Sequence, residues 1–67
     1  MKLSINGNTV EVPDNIRTVS ELLQHFKLEQ KVAVVERNRE ILEKKDHPTT
    51  EVRDGDVFEI VHFVGGG

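Results

Sequence analysis

The most distinctive chemistry in this sequence lies at its carboxyl end, where Gly65, Gly66 and Gly67 directly follow an apolar segment. Glycine has no Cβ, so a glycine backbone can enter a slot that is too narrow for any other residue. The segment offers one functional group, the terminal carboxylate. Because each residue extends at most ~3.6 Å, the carboxylate can reach roughly 10 Å beyond the preceding strand. We therefore expect a folded domain over residues 1–64 and a flexible tail over 65–67 whose end is the reactive site.

Cysteine is absent from the chain, and this limits the chemistry of its side chains. Disulfides and thiolate metal ligands are excluded, and any sulfur that the protein handles would have to sit on the terminal carboxyl carbon. His25, His47 and His62 lack the spacing of a metal motif, so no metal site is predicted. The serine and threonine hydroxyls have no histidine and carboxylate in a plausible triad arrangement. We assign no catalytic residue and expect that the chain is not an enzyme.

Length and charge restrict the class of protein further. Sixty-seven residues make one small domain. The net charge is −3, the basic residues are scattered, and Tyr and Trp are absent. This composition argues against a nucleic-acid partner, which needs a basic surface with stacking platforms. Apolar runs are far shorter than the ~20 residues that span a bilayer, so no membrane segment is expected. Without an export signal, we expect a cytoplasmic location.

The first twelve residues are predicted to form a β-hairpin. Residues 2–5 and 9–12 alternate polar and apolar side chains, as strands with one buried face do. The Asn-Gly-Asn sequence at 6–8 accepts the positive φ angles that tight turns need. Pro13 then ends the second strand because it has no N–H to donate.

An amphipathic helix is predicted from Val19 to Phe26 or Lys27. Thr18 and Glu21 have the spacing of a capping box, in which each side chain accepts a hydrogen bond from the other residue's backbone. Behind this start, four apolar residues recur at helical spacing and form one stripe. They are Val19, Leu22, Leu23 and Phe26.

Three more strands are predicted after the helix. Residues 32–35 are a β-branched run typical of a largely buried strand, and 41–42 suffice for a short edge strand. A tight-turn signal at 54–56 precedes a last strand in which Phe58 and Ile60 share one face. The order β-β-α-β-β-β favours an α+β fold with a right-handed crossover. We therefore predict a ubiquitin-like β-grasp, a single mixed sheet of four to five strands packed on one helix.

The predicted β-grasp fold and the glycine tail together resemble the ThiS family, the small sulfur-carrier proteins of thiamine biosynthesis. The resemblance covers essentially the whole chain, including the hairpin and the capped helix. Its most specific parts are the turn at 54–56 and the tail that closes on Gly66 and Gly67. The family ends in two glycines, so Gly65 is an additional one.

The resemblance implies a chemistry for the tail. In that family an E1-like enzyme uses ATP to adenylate the terminal glycine, and sulfur from cysteine, delivered through a desulfurase, then converts the adenylate to a thiocarboxylate. Thiazole synthase accepts this sulfur. The resemblance thus implies that Gly67 carries the sulfur and that Gly65 and Gly66 enter partner active sites. The chain would be a cosubstrate of the adenylating enzyme and of thiazole synthase, with the desulfurase as the upstream source of sulfur, and would bind no cofactor itself.

His62, Phe63 and Val64 are the residues predicted to contact a partner, because they lie beside the tail. For Phe63 and Val64, two interpretations remain open: one of them closes the bottom of the core, or both form an exposed apolar pair that docks on an enzyme. For His62, an ordinary exposed strand position is the alternative.

Two other functions compete with the sulfur carrier of thiamine biosynthesis. A carrier of another pathway, similar to the molybdopterin synthase small subunit, would have the same fold, but that family often has a proline-containing segment before its glycines, which residues 61–64 lack. A ubiquitin-like modifier would join Gly67 to lysines, and a plain binding module would work without its tail.

Overall fold

The computed structural model describes residues 1–63, so Val64 and the predicted tail, Gly65 to Gly67, lie outside the described residues. The chain forms one five-stranded sheet in the order β2-β1-β5-β3-β4. The central strand β5 is parallel to its neighbour β1, and the other neighbouring pairs are antiparallel. The elements are β1 (Lys2–Ile5), β2 (Asn8–Glu11), α1 (Val19–His25), β3 (Val32–Arg37), β4 (Glu40–Leu42), a 3₁₀ turn (Lys44–Asp46) and β5 (Val57–Phe63). This mixed sheet with one helix confirms the predicted β-grasp.

The hairpin of β1 and β2 forms at the predicted turn. Asn6 and Gly7 have φ angles of 51° and 84°. Positive φ at both central positions matches the right-handed twist of the flanking strands, which is why Asn-Gly is favoured there. The register runs from Lys2 opposite Glu11 to Ile5 opposite Asn8.

The start of the helix confirms the predicted capping box. The hydroxyl oxygen of Thr18 accepts the backbone N–H of Glu21 at 3.2 Å, and a carboxylate oxygen of Glu21 accepts the N–H of Thr18 at 3.1 Å. These bonds satisfy donors that have no partner within the helix. The helix therefore begins at Val19, as predicted.

The helix ends at His25, one or two residues earlier than predicted. Leu28 N–H donates to the carbonyl of Leu23 at 2.8 Å, and Lys27 N–H donates to that of Gln24 at 2.9 Å. With Lys27 at φ 60°, these bonds form a Schellman motif, which stops the helix although the apolar stripe continues. Neither α1 nor the 3₁₀ turn, the two helical segments in residues 1–63, is long and apolar enough to span a membrane.

The core lies between the helix and the inner face of the sheet, which is the face turned towards it. Phe58 and Ile60 are buried there together, as predicted for the last strand, and Val35 of β3 lies opposite Ile60. The buried apolar residues are Leu3, Val12, Ile16, Val19, Leu22, Leu23, Val35, Val52, Phe58 and Ile60.

The strand predicted at 32–35 is present within β3, but the prediction that it is largely buried is wrong. Val35 is fully buried, but Val32 and Val34 are exposed. Alternate residues of a strand point to opposite faces, so Val32 and Val34 lie on the outer face, away from Val35 and the helix. The β-branched run therefore reflects a strand with two apolar faces, only one of which is covered.

Candidate functional site at the end of the last strand

The site is built on β5, the strand that leads into the residues predicted to react. β5 lies between β1 and β3, but its two neighbours cover it unequally. β3 pairs with it as far as Val32 opposite Phe63. β1 reaches only Ser4 opposite Val57 and Ile5 opposite Phe58. The end of β5 is therefore held by a strand on one side only.

The side chain of Asn6 extends the short pairing with β1. Its amide oxygen accepts the N–H of Ile60 at 2.8 Å, and its amide nitrogen donates to the carbonyl of Ile60 at 3.0 Å. The backbone N–H of Asn6 also donates to the carbonyl of Phe58 at 2.9 Å. One side chain thus replaces two backbone bonds that a longer β1 would have made. The sequence gives no sign of this role, because the Asn-Gly turn already accounts for an asparagine at position 6.

Asn38 holds the start of β5 on the β3 side in a similar way. Its backbone N–H donates to the carbonyl of Val57 at 2.7 Å, and its side-chain oxygen accepts the N–H of Val57 at 2.9 Å. The amide nitrogen of Asn38 donates to Asp56 at 3.2 Å. The turn between β3 and β4 therefore also fixes the first residue of β5.

Asp56 is a buried carboxylate, 7% exposed, at the entry to β5. Burial alone would raise its pKa. The backbone N–H of Arg53, the amide of Asn38 and the guanidinium of Arg37 all donate to it, and together they lower the pKa of Asp56 below its ordinary value. The ionised carboxylate thus joins the turn before β5 to the end of β3.

Four apolar residues on the outer face of the sheet lie beside the end of β5. Val34 faces Val61 across the β3–β5 pair, and Val32 faces Phe63. Their exposed fractions run from 43% to 69%. We call Val32, Val34, Val61 and Phe63 the outer cluster. Contiguous apolar side chains of this kind mark interaction surfaces more often than single exposed ones do.

The structure separates the residues predicted to contact a partner. Phe63 is exposed in the outer cluster, so it does not close the core. His62 is exposed as well, but it pairs with Ala33 and points to the opposite face of the sheet. Val64 lies outside the described residues, as do Gly65, Gly66 and Gly67. Contact of any of these residues with a partner stays a prediction.

Comparison with known proteins identifies the family. The model of the ThiS family matches residues 3–67. A protein from Bacillus subtilis (strain 168) named sulfur carrier protein ThiS is 46% identical over 65 residues, which cover 97% of this chain and 98% of that protein. The chain belongs to the ThiS family.

Two further relatives agree with this family. The crystal structure of a thiamine biosynthesis protein (ThiS) from Geobacter metallireducens is 39% identical and covers all of both chains, with a TM-score of 0.82. A protein from Paramagnetospirillum magneticum named thiazole synthase is 42% identical over 67 residues. These residues are 100% of this chain but 20% of that protein, which therefore contains a ThiS-like segment within a longer chain.

One buried polar group in this ThiS-family domain lies away from β5. His47, in the connection after the 3₁₀ turn, is buried, and its Nε2 atom has no hydrogen-bond partner among the described residues. Burial lowers its pKa, more than the neighbouring charge of Asp46 raises it. With Leu23, Leu28 and Pro48, it lines a depression of about 360 Å³ between the helix and β3. His, Asp and Glu side chains of residues 1–63 do not gather into a group of three that would hold a metal ion.

Proposed function

We propose that the chain is a sulfur carrier of thiamine biosynthesis and that Gly67 holds the sulfur as a thiocarboxylate. The observation that carries this proposal is the extent of the family match, which runs through residue 67 and so includes all three terminal glycines. The name of the Bacillus subtilis relative, matched over 98% of its length, supports the same role.

The chemistry begins with activation, because a carboxylate is a poor electrophile. A carboxylate oxygen of Gly67 attacks the α-phosphorus of ATP, and pyrophosphate leaves. The persulfide that a cysteine desulfurase forms from cysteine then attacks the acyl carbon, and AMP leaves. A second thiol of the partner enzymes cleaves the resulting acyl disulfide, becomes oxidised to a disulfide and releases the thiocarboxylate, since the chain itself has no cysteine. The adenylate hydrolyses in water, so an E1-like activating enzyme has to enclose it. ATP binds to that enzyme, and the chain itself binds no cofactor.

The folded domain acts as a cosubstrate and contributes no catalytic group. β3, Asn6 and Asn38 fix the strand from which the tail starts, so Gly65 and Gly66 enter the partner's active site from a defined point. The outer cluster gives the partner an apolar surface beside that point. The cytoplasm, which supplies ATP and cysteine, is the compartment where we place this exchange.

Thiazole synthase is the enzyme that we propose as the acceptor of the sulfur. Support comes from the Paramagnetospirillum magneticum relative, since a protein of that name contains a segment similar to this whole chain. Joining a carrier to its acceptor raises their effective concentration to the millimolar range for a short linker, which favours transfer between them.

The test is the intact mass of the chain after incubation with an activating enzyme, ATP, a cysteine desulfurase and cysteine. We expect the mass to rise by the difference between sulfur and oxygen. A variant that lacks both Gly66 and Gly67, and so does not keep two terminal glycines, should show no change and should unfold at the same temperature. An unchanged mass of the wild-type chain with an active enzyme would refute the proposal, and so would isopeptide conjugates with lysines.

A further inference from the structure

On the side of β5 that faces β1, the backbone at His62 has no neighbouring strand among residues 1–63. Ile60 directs its N–H and its carbonyl to this side, where Asn6 binds both. Peptide groups two residues apart in a strand point to the same side, so those of His62 also point towards β1. β1 pairs only as far as Phe58, and among residues 1–63 no strand lies opposite His62 on this side. A donor and an acceptor are therefore available there.

The other side of β5 is closed over the same stretch. Val61 pairs with Val34 and Phe63 pairs with Val32, so β3 occupies that side to the end of the described chain. The outer edges of the sheet belong to β2 and β4, and each lies two strands away from β5. Of the open strand edges in residues 1–63, the one at His62 alone continues into the tail.

A glycine tail can be recognised only through its backbone. Residues 65–67 have no side chains, so an enzyme that binds them has main-chain groups and the carboxylate to contact. Residues 64–67 extend at most ~14 Å, so an enzyme that encloses an adenylate on Gly67 also lies against the end of β5. Main-chain pairing with an added strand gives affinity without side chains.

We propose that the activating enzyme lays an extended segment of its own along the β1 side of β5 and pairs with the N–H and carbonyl of His62. The segment continues the sheet from the point where Asn6 ends the internal pairing. The tail then runs into the enzyme in line with this added strand. This inference rests on the proposed function, because it assumes that an enzyme takes up the tail.

The first test compares His62→Pro with His62→Ala. Both variants lack the imidazole, and the proline variant also lacks the N–H that points to the open edge and has its φ fixed at about −65°. The proline removes no bond to β3, because the bonds to β3 come from Val61 and Phe63. We expect kcat/KM for adenylation to be about tenfold lower for the proline variant than for the alanine variant, mainly through KM. Equal values for the two folded variants would overturn the inference.

The second test needs no substitution, so it remains decisive if the proline variant does not fold. Amide hydrogen exchange of His62 is measured in the wild-type chain, alone and with the activating enzyme. We expect exchange at His62 to slow at least tenfold in the complex, while the amide of Val10, opposite Leu3 on edge strand β2 and away from the hairpin turn, is unchanged. Unaltered exchange at His62 overturns the inference. Failure of the wild-type chain to be adenylated refutes the proposed function instead.

Discussion

At the scale of single residues, Asn6 shows how one side chain substitutes for a strand. Its amide has a donor and an acceptor spaced like those of a peptide group, and both are used on Ile60, 54 residues away in the sequence. Its φ of 51° turns the backbone into the hairpin at the same point. The turn ends the pairing of β1 with β5, and the side chain extends this pairing by one more residue of β5.

We expect Asn6→Gly to lower the free energy of unfolding by about 1–3 kcal/mol, because the backbone N–H and the carbonyl of Ile60 both lose their hydrogen-bond partner. Glycine accepts the positive φ without strain, so the variant removes the hydrogen bonds and leaves the turn intact. Chemical denaturation measures the change. Asn6→Asp, which keeps the acceptor but loses the donor, should also destabilise the domain. A glycine variant as stable as the wild-type chain would contradict this account of Asn6.

At the scale of elements, β5 has two faces with different roles: one packs in the core and the other is exposed. Its inner face, with Phe58 and Ile60, packs in the core, while its outer face contributes Val61 and Phe63 to the outer cluster. An apolar cluster on an uncovered face adds little to the stability of the free domain, since its side chains stay in water. We expect the outer cluster to contribute to the free energy of binding, when a partner covers it.

We expect Val34→Thr and Val61→Thr to raise KM for adenylation several-fold each, while kcat and the melting temperature change little. Threonine keeps the shape and the strand preference of valine but makes the surface polar. The matched control is Ile41→Thr, an exposed apolar residue on edge strand β4, away from the end of β5. Steady-state kinetics measure the three variants. A control as impaired as the two cluster variants would show that position on the sheet does not matter.

At the scale of the whole molecule, two buried titratable groups connect global stability to pH. The pKa of His47 is lowered from its ordinary value of 6.5 by burial. The pKa of Asp56 is lowered from 3.8 because its hydrogen bonds outweigh its burial. A group with a lowered pKa in the folded state stabilises the fold above the unfolded pKa, and this stability is lost as pH falls through the folded value. Acid should therefore destabilise the domain in two ranges.

We expect the melting temperature to fall as pH drops below about 6.5, where His47 must take up a proton, and again below about 4, where Asp56 does. His47→Leu should remove the first decline and cost little at neutral pH, because the buried Nε2 has no hydrogen-bond partner among residues 1–63. Asp56→Asn should reduce the second decline. Thermal unfolding followed by circular dichroism between pH 8 and 3 measures both. An unchanged first decline in the leucine variant would exclude His47 as its origin.

Local rules account for what was predictable in this chain. Alternation placed Phe58 and Ile60 on one face, the Asn-Gly turn fixed the hairpin, and Thr18 with Glu21 fixed the start of the helix. Each signal depends on a few neighbouring residues and favours one local conformation strongly. That conformation is therefore kept in the folded structure. The Schellman motif that ends the helix at His25 is also local, but with lysine in place of glycine at the left-handed position it has no clear signature.

The sequence by itself determined the order of the elements. It also determined the glycine tail and the resemblance to the ThiS family. Only the tertiary structure decided which parts of β3 and β5 remain uncovered, and that Asn6 reaches Ile60 across 54 residues. A run of valines looks the same in the sequence whether both faces of the strand are packed or one is exposed. An asparagine in a turn likewise looks the same whether or not its side-chain amide forms hydrogen bonds. Which groups find partners depends on contacts between residues far apart in the chain, and these exist only after the sheet has assembled.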